Sequence, residues 1–200
     1  MYKRQVQGSK EEDGEIVAYG ENIMLGYHNL PEKTKETITP EGGLRTGDLG
    51  HLDSEGYLYI TGRVKEQYKL DIGEYVAPAP LEETLKLSAY IDQVMLYGFN
   101  RPNNVALIVV VMPAVEQYAK SNGISGSGEN ILRDTSIRNL FREELSVYGK
   151  YFKSFEHPQN FALLAEEWSI ENGFLTPTLK LKREVVEQEF KDKIESLYSE

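Results

Sequence analysis

No cysteine occurs among the 200 residues. Disulfides, thiolate metal sites and a cysteine nucleophile are therefore excluded, and the composition fits a reducing, intracellular setting. Histidine is scarce as well: His28, His51 and His157 are dispersed without close ligand spacing, which argues against zinc, so no metal site is expected. No apolar run reaches the ~18–20 residues that a bilayer span needs, and no charged-then-apolar leader opens the chain. No transmembrane segment is expected, and the localisation that follows is cytoplasmic or peripheral on a membrane. Positive charge is in short supply too, with 22 Lys and Arg against 32 Asp and Glu and a net charge of −10. Such a balance argues against nucleic acid as a partner, and any anionic ligand must be held by local basic groups. What remains is ordinary globular composition, 40% hydrophobic, in a length that suits one large domain or two small ones.

The pattern along the chain is α+β. Residues 1–13 are polar and without period, so a ragged N-terminus is expected; an initiator Met followed by unpatterned basic residues is what a truncated reading frame gives. Residues 14–62 are strand-rich, with short β runs in GEIVAYG, NIMLGYH, LRTGDLGHL and GYLYITG. Asp53-Ser54-Glu55-Gly56 reads as a hairpin turn, its final glycine entering the positive-φ region at no steric cost. Residues 63–69 are charged and form a boundary and linker. Residues 70–200 alternate helix and strand as a small mixed domain: a helix at Ala79–Ser88, a buried hairpin at Val94–Phe99 and Val105–Met112, and a helix from Val115 ending at Asn122-Gly123. An amphipathic helix over 131–151 carries Ile137, Leu140, Phe141, Leu145 and Tyr148 on one stripe. A strand follows at Phe161–Trp168, and a single terminal helix over Glu184–Tyr198 turns Val186, Phe190, Ile194 and Leu197 inward.

Three segments could carry chemistry. In Arg45-Thr46-Gly47-Asp48, a carboxylate on a glycine-flanked turn can accept two hydrogen bonds from vicinal ribose hydroxyls, or simply cap its own backbone. In an extended segment Arg63, Lys65 and Lys69 share parity and line one face able to hold a phosphate or carboxylate, with Glu66 and Asp71 near enough to neutralise them. The basic turn from Phe174 to Arg183 presents Lys180, a point charge suited to a developing oxyanion, in a place where solvated cations are also common.

Taken in order, these segments resemble a known family. The run Gly14 to Tyr27, Thr46-Gly47-Asp48, Asp53, Gly56-Tyr57, Ile60 to Arg63, Lys65, Lys69, Gly73-Glu74-Tyr75-Val76-Ala77-Pro78, then Thr176, Lys180 and Arg183 resembles the C-terminal part of AMP-forming acyl-CoA synthetases. The loop KLDIGEYVAP and the run LTPTLKLKR are most similar to the long-chain fatty-acid CoA ligases of that adenylate-forming superfamily. The resemblance implies a strand-rich remnant of a large adenylation domain, a hinge, and a mobile C-terminal domain. It implies fatty acid, ATP and CoA as substrates, with Mg²⁺ held through a domain absent from these residues.

Residue by residue, it implies that Asp48 bonds the ribose hydroxyls, that Arg63 and Lys65 belong to the hinge, and that Lys65, Lys69 and Tyr75 contact the adenylate. Gly73 would pass close to the pantetheine tunnel, and Lys180 would be the catalytic lysine that stabilises the carboxylate attacking the α-phosphate. Two positions depart from the family pattern: Gly62 stands where many members have Asp, and Leu179 where most have Gly. The Ser/Thr/Gly-rich phosphate loop and the Thr-Glu magnesium motif are not in these 200 residues, so the chain by itself is expected to be inactive. Alternatives are a fatty acyl-AMP ligase that serves a carrier protein, and a non-catalytic interaction or regulatory module of the same fold.

Overall fold

The computed structural model describes residues 3–7 and 14–199. It divides into two compact units, Met1–Gln67 and Tyr68–Glu200. Helices and sheets are mixed in the chain, as an α+β composition requires.

The first unit is a four-stranded antiparallel sheet in the order β1 (Lys3–Gln7), β2 (Gly14–Tyr19), β3 (Leu44–Leu52), β4 (Leu58–Arg63). Ile16 and Val17 of β2 are buried, and β2 bulges between Glu15 and Val17, which lets adjacent apolar side chains both find cover. The β3–β4 turn is built as its residues dictate: Asp53 Oδ1 accepts from the N–H groups of Glu55 and Tyr57, and Gly56 closes it at φ +86°.

Two expectations fail in this unit. Lys3–Gln7, read as ragged, pairs with β2 in register Lys3↔Tyr19 through Gln7↔Glu15. Its single apolar residue, Val6, gives no alternation to detect, so the strand comes from the pairing offered by β2; the rest of the ragged reading lies outside the described residues. The run NIMLGYH is not a strand. Leu25 is fully exposed, and the Tyr27 N–H donates to Thr34 Oγ1 at 2.9 Å, so a side chain takes the backbone group that a neighbouring strand would have used. That threonine belongs to a helix, α1 (Pro31–Thr37), which begins with proline at its first turn and was not anticipated.

The second unit opens with a short hairpin of β5 (Tyr68–Lys69) and β6 (Tyr75–Val76), followed by α2 (Pro78–Leu85). Its main sheet has the order β7 (Ile91–Tyr97), β8 (Asn104–Val110), β9 (Pro158–Leu164), antiparallel between β7 and β8 and parallel between β8 and β9. The β8–β9 crossover carries α3 (Met112–Ser121), a 3₁₀ turn at Gly128–Arg133 and α4 (Thr135–Tyr148); α5 (Arg183–Glu189) and α6 (Lys191–Leu197) end the chain.

Every residue of β8 is buried. Ala106, Ile108 and Val110 face one core with Ile137, Phe141 and Leu145, whereas Val105, Leu107 and Val109 face a second with Trp168, Val186 and Ile194. A strand covered on both faces needs no polar alternation, which is why it reads as a continuous apolar run. The expected 131–151 helix begins instead at Thr135, where Asp134 Oδ1 accepts the Ser136 N–H at 2.7 Å and sets the cap. The expected 161–168 strand ends at Leu164. The terminal helix is two helices, because Phe190 leaves helical geometry at φ −99°, ψ 19° between them.

Candidate functional site

In the first unit the structure brings Asp48 and Arg63 together. They lie opposite each other in the β3–β4 register, and Arg63 Nε donates to Asp48 Oδ1 at 2.8 Å. Thr46 steadies the strand beneath them: its hydroxyl donates to the Ile16 carbonyl at 2.9 Å and accepts the Asp48 N–H at 3.1 Å. Asp48 is thus held by its neighbours, and because a carboxylate can accept about four hydrogen bonds, the arginine does not exhaust it. With the Arg63 side chain half exposed, the pair contributes at most about 1 kcal/mol, so its effect is to aim the groups.

The extended segment that the parity of Arg63, Lys65 and Lys69 required is absent from residues 63–67. Glu66 and Gln67 N–H groups both return to the Arg63 carbonyl, so residues 63–67 turn instead of extending, and the parity argument loses its premise. Lys65 is exposed on that turn, and among the described residues no carboxylate pairs with it. Lys69 lies in β5, in the second unit.

Lys69, Gly73 and Tyr75 occupy one hairpin. Lys69 and Tyr75 are register partners, with Lys69 Nζ 5.4 Å from the centre of the Tyr75 ring. Gly73 sits at φ +94° with its N–H on the Leu70 carbonyl at 3.1 Å, a geometry only glycine adopts without strain. Its backbone is reachable, since a Cβ there would meet nothing within 4 Å. Leu70 and Val76 anchor the hairpin in the core, while the Asp71 N–H donates to the Arg101 carbonyl and the Asn100 N–H to that of Lys69. Beneath it, Tyr68 Oη donates to Asn104 Oδ1 at 2.7 Å, and burial, reinforced by the Glu82 carboxylate, pushes the phenol far above its ordinary range and keeps it a neutral donor.

Lys180 is carried by a different hairpin. Leu175 bridges Leu181, the Thr176 N–H bonds the Lys180 carbonyl at 2.8 Å, and Thr176 Oγ1 accepts the Lys180 N–H at 3.0 Å. Leu179, exposed at the tip, takes φ +60°. The turn therefore demands glycine geometry at the position where leucine replaces it. Among the described residues no carboxylate pairs with the Lys180 ammonium. Arg183, grouped with it on sequence, is committed elsewhere: it forms an ion pair with the buried Glu82 of α2, whose Oε1 also accepts the Leu96 N–H. Glu82 was missed because a glutamate in a short helix reads as solvated surface; its only signal is its place three residues before Leu85 on the apolar side.

No family model matches the chain. Over 193 residues it is 37% identical to the long-chain-fatty-acid–CoA ligase 5 of Rattus norvegicus, covering 95% of this chain and 28% of the relative. Against the long-chain-fatty-acid–CoA ligase 1 of Homo sapiens it is 36% identical over 194 residues, with 94% and 28% covered. The chain is homologous to one segment of the long-chain fatty-acid–CoA ligases. It spans 28% of the length of those ligases.

The fold agrees with that kinship. The adenylation domain of a carboxylate reductase from Mycobacterium chelonae superposes with a TM-score of 0.77 at 26% identity, over 100% of this chain and 31% of that one. The O-succinylbenzoate coenzyme A synthetase of Bacillus subtilis, solved with AMP, gives 0.62 at 21% identity, over 92% and 33%.

Proposed function

We propose that this chain is the C-terminal part of an AMP-forming long-chain fatty-acid–CoA ligase and that it supplies the parent enzyme with its hinge and its mobile domain. The observation that carries this reading is the 37% identity sustained over 95% of the chain. The parent reaction joins a fatty acid to ATP, giving acyl-AMP and pyrophosphate, after which the CoA thiol displaces AMP and forms the thioester. ATP, CoA and the fatty acid are the substrates of that reading.

Asp48, aimed by Arg63, accepts hydrogen bonds from the ribose hydroxyls. Residues 63–69 are the hinge. Lys65, Lys69 and Tyr75 contact the adenylate, and the open backbone at Gly73 borders the pantetheine path. Lys180, on a turn braced by Thr176 and unpaired with any described carboxylate, neutralises charge as the fatty carboxylate attacks the α-phosphate. A fixed cation acts where charge develops without reorganising at the moment of reaction, which is the physical basis for the role. Among the described residues no group of three or more acidic or histidine side chains is arranged to hold a metal, and no step is assigned through Mg²⁺. No described helix is long and apolar enough to cross a membrane; peripheral association of the parent enzyme remains part of the proposal.

The reading is tested in the full-length ligase. Lys180→Ala is expected to slow adenylation, followed by pyrophosphate release, by about 10²–10³-fold, while thioester formation from supplied acyl-AMP changes much less. Equal loss in both half-reactions would remove the role given to Lys180. The 200-residue chain alone is expected to form no acyl-CoA from ATP, fatty acid and CoA, because positioning of the reactants supplies much of the barrier reduction; turnover above a Lys180→Ala control would overturn that expectation.

A further inference from the structure

Within the second unit, β9 has one neighbour strand among the described residues, β8, and its other edge opens into a groove of about 660 Å³. Phe161 to Ala165 form the floor. The Phe161 N–H donates to the Asn160 side chain at 2.9 Å, and by the two-residue alternation of a strand Leu163 turns its backbone groups the same way as Phe161. One wall carries Arg133, Arg138 and Arg142, and the other Phe190, Lys193 and Leu197.

Those four cations stand against two carboxylates, Glu129 and Glu166, in a chain of net charge −10. None of the four forms an ion pair with a described residue. Arg138 lies over the Phe161 ring at 4.9 Å with its Nη2 3.4 Å from Asn160 Oδ1, and Arg142 donates to the neutral Asn139 Oδ1. The dimensions also match. A five-residue strand at ~3.3 Å per residue, ~4.8 Å from its neighbour in a sheet layer ~10 Å deep, occupies roughly 800 Å³, and a four-residue one roughly 630 Å³, which brackets this groove.

We infer that this groove receives an acidic peptide in extended conformation, which adds to the sheet as a fourth strand beside β9. Backbone hydrogen bonds to the edge supply affinity, and carboxylates at alternate positions meet the two basic walls. The inference does not rest on the ligase reading, since none of the groove residues belongs to the machinery proposed above. The bland role for cations at a strand edge is to keep other strands away, and the experiment separates the two.

The 200-residue chain is titrated with a fluorescein-labelled peptide of about six residues alternating glutamate and valine, with a lysine–valine peptide, and with the glutamate peptide N-methylated at alternate amides. The glutamate peptide is expected to bind and to slow amide exchange at Leu163. Its affinity should fall roughly tenfold or more in the doubly substituted Arg133→Glu, Arg142→Glu chain, whose two sites are exposed and whose helical circular dichroism should be unchanged. The N-methylated and lysine peptides should not bind. No binding of the glutamate peptide, or binding unaffected by N-methylation, overturns strand addition; displacement of all binding by inorganic phosphate assigns the groove to a small anion instead.

Discussion

Leu179 shows how one backbone angle can decide a residue's cost. At φ +60° its Cβ crowds the following carbonyl, a penalty of roughly 1–2 kcal/mol that glycine escapes, while glycine costs roughly 0.5–1 kcal/mol more in unfolded-chain entropy. Leu179→Gly is therefore expected to stabilise the second unit by about 0.5–1 kcal/mol. Urea unfolding followed through Trp168, the sole tryptophan and fully buried, reads that unit directly; a destabilised variant would mean the leucine makes contacts the angle does not reveal. Asn104 is the opposite case, a wholly buried amide with every partner supplied. It accepts from Tyr68 Oη and donates through Nδ2 to the Phe155 and Glu156 carbonyls at 2.9 and 3.0 Å. Asn104→Ala strands three polar groups and is expected to cost about 3 kcal/mol by the same urea assay, against about 1 kcal/mol for Tyr68→Phe.

At the scale of elements, a proline in the first turn made α2 legible but not α1, and the start of α4 was illegible because the 3.6-residue stripe runs through a break. Ile137, Leu140, Phe141 and Leu145 all face the core as their spacing requires, yet the stripe continues back to Ile131 and Leu132, which are also buried but in a separate 3₁₀ turn. Only the cap marks the division. Asp134→Ala is expected to cost about 1 kcal/mol and Asp134→Asn a few tenths, compared by thermal unfolding; equal effects would mean the carboxylate acts by charge on the helix dipole, not as an acceptor. The break at Phe190 has no such marker. Val186, Ile194 and Leu197 keep helical spacing across it and all are buried, so tertiary packing against the β7–β9 sheet sets the bend. Strands divide likewise: β8 was readable from its run of Val, Leu and Ile, whereas Lys3–Gln7 has no apolar pattern and exists through its pairing.

For the molecule as a whole, an acidic chain keeps its ionisable tyrosines neutral in the interior. Tyr68 and Tyr198 both titrate above their ordinary value of 10.0, in each case mainly by burial. A raised folded-state pKa means that the unfolded chain loses its protons first as pH rises, so the native state holds more protons above pH 10 and stability falls there. Stability should thus be flat with respect to these groups below about pH 10 and then drop by up to about 1.4 kcal/mol per pH unit for Tyr68. Urea midpoints measured across the alkaline range should show the slope shrink in Tyr68→Phe; an unchanged slope would show that Tyr68 is not the group responsible.

The linear order of residues by itself determined the class of the fold, the strands around Asp48, the glycine turn at Gly73 and the braced lysine turn at Thr176 to Lys180. Each depends on neighbours within a few positions, where the chemistry of a carboxylate, a glycine or a threonine acts locally. The tertiary structure alone decided which cations are free. Arg63 is spent on Asp48 across two strands and Arg183 on Glu82 from 101 residues away, while Arg133, Arg138 and Arg142 gather with Lys193 beside an open strand edge. Charge is written in sequence, but pairing is a matter of distance, and distance is set only when the chain has folded.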